Sequence, residues 1–140
     1  MAGRRRTEIT MRMRMLAAAG VLVSGAVHFK LYFDWAHENN KVGPAFLLNA
    51  GAGLVIAVLL ISWRHWIPPL LAVGFGVSTL AAFVTAATVG LFGVSEAWTG
   101  WAVWTAAISE LVAIAAGVTV LWQEYRPTPQ PASVRSAVHH

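Results

Sequence analysis

The chain contains no cysteine, and only 11% of its residues are charged. The first absence excludes a disulfide framework, thiolate metal sites and thiol redox chemistry. The second excludes an ordinary water-soluble surface, since soluble domains carry about 25% charged residues. No phosphate-binding loop, G-x-S-x-G or H-E-x-x-H pattern occurs, so nothing supports a nucleotide-dependent or hydrolytic enzyme. No N-x-S/T acceptor and no internal repeat is evident.

What remains is apolar: 57% of the residues are hydrophobic, and mean hydropathy is +0.61. A bilayer is the natural solvent for such a chain. Four long apolar runs lie at about 13–33, 45–63, 70–92 and 101–122. Each is close to the roughly 20 residues that cross the hydrocarbon core. The expected fold is all-α, a transmembrane four-helix bundle.

Charge sets the expected orientation. Eight arginines lie before the first run, between the second and third, or after the fourth, whereas Lys30 and Lys41 lie at the opposite end. By the positive-inside pattern both termini are cytoplasmic, in a multi-pass protein of the plasma membrane. The net charge of +4 is thus accounted for without nucleic acid as a partner; the expected partners are the lipid bilayer and a larger membrane complex or a second copy. Tryptophans agree with this layout. Trp35, Trp98 and Trp101 fall at the outer boundary, and Trp63, Trp66 and Trp122 at the inner one.

Residues 1–10 read as a basic, disordered cytoplasmic arm, and 123–140 as a disordered tail with Pro127, Pro129 and Pro131, ending in His139 and His140. Between them, 11–122 is the membrane domain. The Arg-rich start also resembles a secretory signal with a cleavage point near Ser24–Ala26, but apolarity continues through Phe33, which favours a retained span. Pro44 suits the first turn of the second helix, and Pro68-Pro69 must break the chain before the third.

In lipid, helices associate through close approach of small residues and through hydrogen bonds. Spacing-four stripes mark the expected contact faces. They are Gly20-Ser24-His28-Tyr32, Ala45-Asn49-Gly53-Ala57, Gly74-Ser78-Ala82-Ala86-Gly90, and Ala102-Ala106-Glu110 continuing to Ala113 and Gly117. His28, Asn49 and Glu110 therefore face inward. By helical rise His28 lies about 9 Å inside Asp34, Asn49 about 7 Å inside Pro44 and Glu110 about 13 Å inside Trp101. The three form a candidate polar pocket in the outer half, which Thr85, Thr88, Thr105 and Ser109 could join. Tyr32, Asp34, His37, Glu38 and Glu96 form its candidate rim.

Glu110 carries two readings, because a charged side chain at a helix centre costs about 2.5–3.5 kcal/mol on insertion scales. It is either hydrogen-bonded structural glue or a site for a proton, ion or ligand. His28 is glue, a proton carrier or a ligand. With His37 it is a weak metal candidate, and a haem held by two histidines lacks a second inward histidine at matching depth. Lys30 and Asp34, at spacing i, i+4, pair on the helix surface.

The stretch H-F-K-L-Y-F-D-W from His28, followed by G-P-A-F-L-L-N from Gly43 to Asn49, resembles a family of small four-span membrane proteins common in actinobacteria. The matching positions are His28, Leu31, Tyr32, Gly43, Pro44, Phe46, Leu47, Leu48 and Asn49, and the loop holding His37 departs from that pattern. In general layout the chain is also similar to DoxX-like four-span proteins. The resemblance implies the fold and brings no activity with it. The expectation is a non-catalytic accessory or assembly subunit acting through helix contacts, with no catalytic residues. The alternatives are a redox-linked protein holding haem, quinone or metal in the outward pocket, and a proton-coupled transporter using Glu110.

Overall fold

The computed structural model describes residues 2–91 and 100–126. Four helices follow one another: α1 Ala2–Asp34, α2 Val42–Ser62, α3 Ile67–Thr88 and α4 Trp101–Glu124. A 3-10 turn, Ala36–Glu38, joins the first two, and no regular strand occurs among the described residues. All four helices are long and apolar enough to cross a membrane. Large apolar side chains such as Leu48, Leu54, Val58, Ile108 and Leu111 face outward, as a lipid solvent requires. The chain is an all-helical, four-helix transmembrane bundle. Its two described ends lie at one end of the bundle, called the terminal end below; the opposite end is the distal end.

Local sequence explains where the helices start. The Asn39 carboxamide oxygen accepts hydrogen bonds from the backbone N–H of Lys41 (2.9 Å) and Val42 (3.0 Å), capping the first free donors of α2. Pro68 and Pro69 occupy the first turn of α3, where a missing N–H has no cost. At the start of α1 the structure corrects the expected disordered arm. The helix begins at Ala2, and its 33 residues span about 50 Å, some 20 Å more than the hydrocarbon core. The extra turns are held by α4: the Arg6 guanidinium donates to the Gln123 carbonyl, and Thr10 is buried beside Gln123. Of the expected tail, α4 takes 123–124, and residues from Pro127 onward lie outside the described part.

Around the bundle the order is α2, α1, α4, α3. α1 packs along α2 and α4, and α3 packs along α4, while α2 and α3 meet only sparsely. The close seams rest on glycine. A Cβ on Gly20 would lie 2.6 Å from the Ser109 carbonyl oxygen, and one on Gly53 would lie 2.6 Å from that of Val21. One on Gly76 would lie 2.8 Å from the Glu110 carbonyl oxygen, and Gly117 is as tightly set against Val73 and Pro69. The expected small-residue faces thus hold for Gly20-Ser24, Gly53-Ala57 and Ala113-Gly117. On α3 the expected stripe is corrected in its first half, while Ala86 in the second half is buried. Gly74 has open space around it, and Ser78 faces outward. Ala72, Phe75 and Gly76 form the buried face instead, because Gly74 and Gly76 lie about 200° apart on a helix at 3.6 residues per turn.

The terminal end is closed by one side chain. Arg14 is fully buried, and its five N–H groups all find acceptors. Nε and Nη2 grip the two Glu124 carboxylate oxygens at 3.1 and 2.7 Å. Nη1 donates to the Leu60 and Trp63 carbonyls, both at 3.2 Å, and Nη2 also donates to that of His65 at 3.0 Å. Leu60 supplies one of the carbonyls that the end of α2 leaves unpaired, and the Trp63 carbonyl also accepts from the His65 backbone N–H at 3.0 Å. One guanidinium therefore ties α1 to the ends of α2 and α4.

Two substitutions test this packing through unfolding titrations in mild detergent. Gly20→Val forces a side chain into the backbone of α4 and is expected to cost about 1–3 kcal/mol, whereas Gly74→Val leaves stability unchanged. Arg14→Met strands a carboxylate and the Leu60 and His65 carbonyls and is expected to cost about 3–5 kcal/mol, with part of the loss recovered in Arg14→Met/Glu124→Met.

Candidate functional site

The distal half of the bundle, where α2 and α3 separate, holds a partly open cavity of about 130 Å³ lined by residues from all four helices. Leu31, Trp35, Phe46, Phe83 and Val103 form apolar walls, and Ala82, Ala86, Ala102 and Ala106 keep one side shallow. Three polar side chains reach it: His28, Thr79 and Glu110.

Ser24 sets the position of two of them. Its hydroxyl donates to Glu110 Oε1 at 2.8 Å, across the tight α1–α4 seam that Gly20 makes possible. Its backbone carbonyl, one turn before His28, accepts from His28 Nδ1 at 2.8 Å. A carbonyl cannot donate, so Nδ1 must carry a proton. The His28 ring also meets Phe46 edge-on, with centroids 4.9 Å apart, and Phe46 in turn meets Trp35 at 5.6 Å. These contacts fix the ring plane. Glu110 is 2% exposed. Among the described residues neither its Oε2 nor His28 Nε2 has a hydrogen-bond partner, and both residues face the cavity.

Asn49, the third expected pocket residue, does not line the cavity. Its Nδ2 donates to Thr79 Oγ1 at 2.9 Å, bridging the sparse α2–α3 seam, and Thr79 passes its own proton to the Phe75 carbonyl at 2.8 Å. The Asn49 Oδ1 is buried without a partner among the described residues. The roles of Thr79, as partner of Asn49, and of Ser24, as partner of Glu110, were not expected, although Ser24 stands on the same stripe as His28. Short hydroxyl side chains in helices mostly bond their own backbone. Thr85, Thr88 and Ser109 do so here, with Ala81, Val84 and Ala106, and neither they nor Thr105 line the cavity.

No protein-family model, curated protein or solved structure matches the chain.

The expected rim is not gathered into one group. Tyr32, Asp34, His37 and Glu38 lie outside the cavity lining, whereas Leu31, Trp35 and Leu91 belong to it. Lys30 pairs with Asp34 at 2.6 Å on the exposed surface, as their spacing predicts. The His37 Nδ1 donates to the Tyr32 carbonyl at 2.9 Å, and Glu38 is exposed. Glu96 lies outside the described residues. His28 and His37 each commit Nδ1 to the backbone. Among the described residues no group of three His, Asp or Glu side chains stands close enough to hold a metal ion.

Ser24→Ala is expected to lower stability in the same titration by about 1 kcal/mol, the size of an interhelical hydrogen bond in lipid. In Ser24→Ala/Glu110→Leu the two losses are expected to be less than additive, because the pair acts as one unit.

Proposed function

We propose that this chain is an integral membrane binding protein that takes a small lipid-soluble molecule into the distal cavity. The single observation that carries this reading is the Glu110 carboxyl group. It is buried in an apolar wall, with one oxygen held by Ser24 and the other turned unpartnered toward a cavity that His28 also faces. Ionisable groups at membrane depth mark sites by default, and an apolar pocket with a few convergent polar groups is how small molecules are held. About 130 Å³ is close to the roughly 150 Å³ of cavities that take up benzene. The cavity is partly open, so a lipid-soluble molecule would reach it from the bilayer. The ring-sized head of a quinone is among the molecules that would fit. A haem held by two histidines is disfavoured, since among the described residues His28 is the only histidine in the lining.

The arginines at the terminal end orient the protein with that end in the cytoplasm, so the cavity lies in the outer half of the plasma membrane. The accessory-subunit reading loses most of its motive, since Gly20, Gly53, Gly76 and Gly117 are used within the chain. It retains one observation: Gly74 and Ser78 leave a shallow outward-facing strip on α3, suited to a partner helix or a second copy.

Ala106→Phe fills the cavity from α4. Mass spectrometry of molecules extracted from protein purified in mild detergent is expected to find a stoichiometric lipid-soluble compound in the wild type and its loss in Ala106→Phe. Identical extracts from the two proteins would contradict the proposal.

A further inference from the structure

The chemistry of the two free atoms narrows the ligand class. His28 Nδ1 is committed as a donor to the Ser24 carbonyl, and Glu110 Oε1 is committed as an acceptor from the Ser24 hydroxyl. What remains for a ligand is His28 Nε2 and Glu110 Oε2. With a neutral ring and a neutral acid, Nε2 accepts and Oε2–H donates. Were the proton to pass from the carboxyl to the ring, Nε2–H would donate and Oε2 would accept. Either way the pair offers one donor and one acceptor. A hydroxyl group supplies both counterparts, a carbonyl supplies only one, and a hydrocarbon neither. The walls add a shape: Trp35, Phe46 and Phe83 share the lining with alanines of α3 and α4 around a space of single-ring volume.

Resting on the binding reading above, we propose that the cavity selects a hydroxyl-bearing single ring, a phenol-class head, over its hydrocarbon isostere. His28 and Glu110 are the selecting residues, and Ser24 is the positioning residue that aims both. Burying an unmatched polar group is costly, so a ligand that leaves Nε2 and Oε2 unpaired binds more weakly although it fills the same space.

The test uses p-cresol and p-xylene, which differ by a hydroxyl in place of a methyl. Full-length protein is placed in phosphatidylcholine nanodiscs, and binding is measured by equilibrium dialysis against protein-free discs to subtract partitioning into lipid. The expected result is p-cresol bound about tenfold more tightly than p-xylene, the equivalent of one net hydrogen bond. His28→Leu and Glu110→Leu are expected to erase that preference while still binding p-xylene, and Ala106→Phe to bind neither. The wild-type comparison stands even where a variant fails to fold. Equal affinity for both compounds, with both lost in Ala106→Phe, would overturn the selectivity and leave the cavity as a binding site. No saturable binding of either compound to the wild type would overturn the selectivity and count against the binding reading itself.

Discussion

Arg14 is the residue on which the arrangement of helices depends. A buried guanidinium is tolerable only when every N–H has an acceptor, and here the acceptors come from three separate places: the end of α2, the turn after it, and the last residue of α4. None of these can move without stranding a charge in an apolar surround, at a cost of several kcal/mol. The terminal end is thereby held as one unit, with Arg64 adding a longer contact to Glu124 at 4.0 Å. α1 is suited to the central position because it carries Arg14 level with the ends of α2 and α4 and the small residues Ala17, Gly20, Ser24 and Gly25 beyond it.

Closure at one end permits separation at the other. The α1–α4 and α1–α2 seams are drawn together by glycines that sit against carbonyl oxygens, with no room for a side chain. α2 and α3 share no such seam, and a single hydrogen bond from Asn49 to Thr79 crosses between them in the distal half. The cavity is the space this leaves. Because α1 and α4 are pressed together at Gly20, Ser24 reaches Glu110 directly. The same close packing that fixes the bundle therefore sets the geometry of the site.

The four spans, the proline-marked start of α3 and the Lys30–Asp34 pair are all legible in the sequence, because hydropathy, proline and i, i+4 spacing are local signals. His28 and Glu110 are legible as inward residues because few ionisable groups stand within apolar runs. Arg14 is not legible as a lock. It sits in M-R-M-R-M among arginines that the positive-inside pattern already explains, and its carboxylate partner lies 110 residues away. The α3 face is misread for a different reason: with so many Ala, Gly and Ser, several spacing-four stripes coexist, and only contact with α4 selects the one through Gly76. The helical N-terminus was obscured likewise, since residues 2–10 lack an apolar stripe and are held by polar contacts to Gln123.

The account of the site turns on Ser24 aiming one nitrogen of His28 at its own carbonyl and leaving the other for the cavity. Nitrogen-15 NMR of histidine-labelled protein in nanodiscs, with the His28 signals assigned by their loss in His28→Leu, reads this directly. The account predicts a protonated, pyrrole-type Nδ1 across neutral pH, with Nε2 shifting when a hydroxyl ligand is added. An unprotonated, pyridine-type Nδ1 would contradict it, because the Ser24 carbonyl would then hold no proton and nothing would fix the ring toward the cavity.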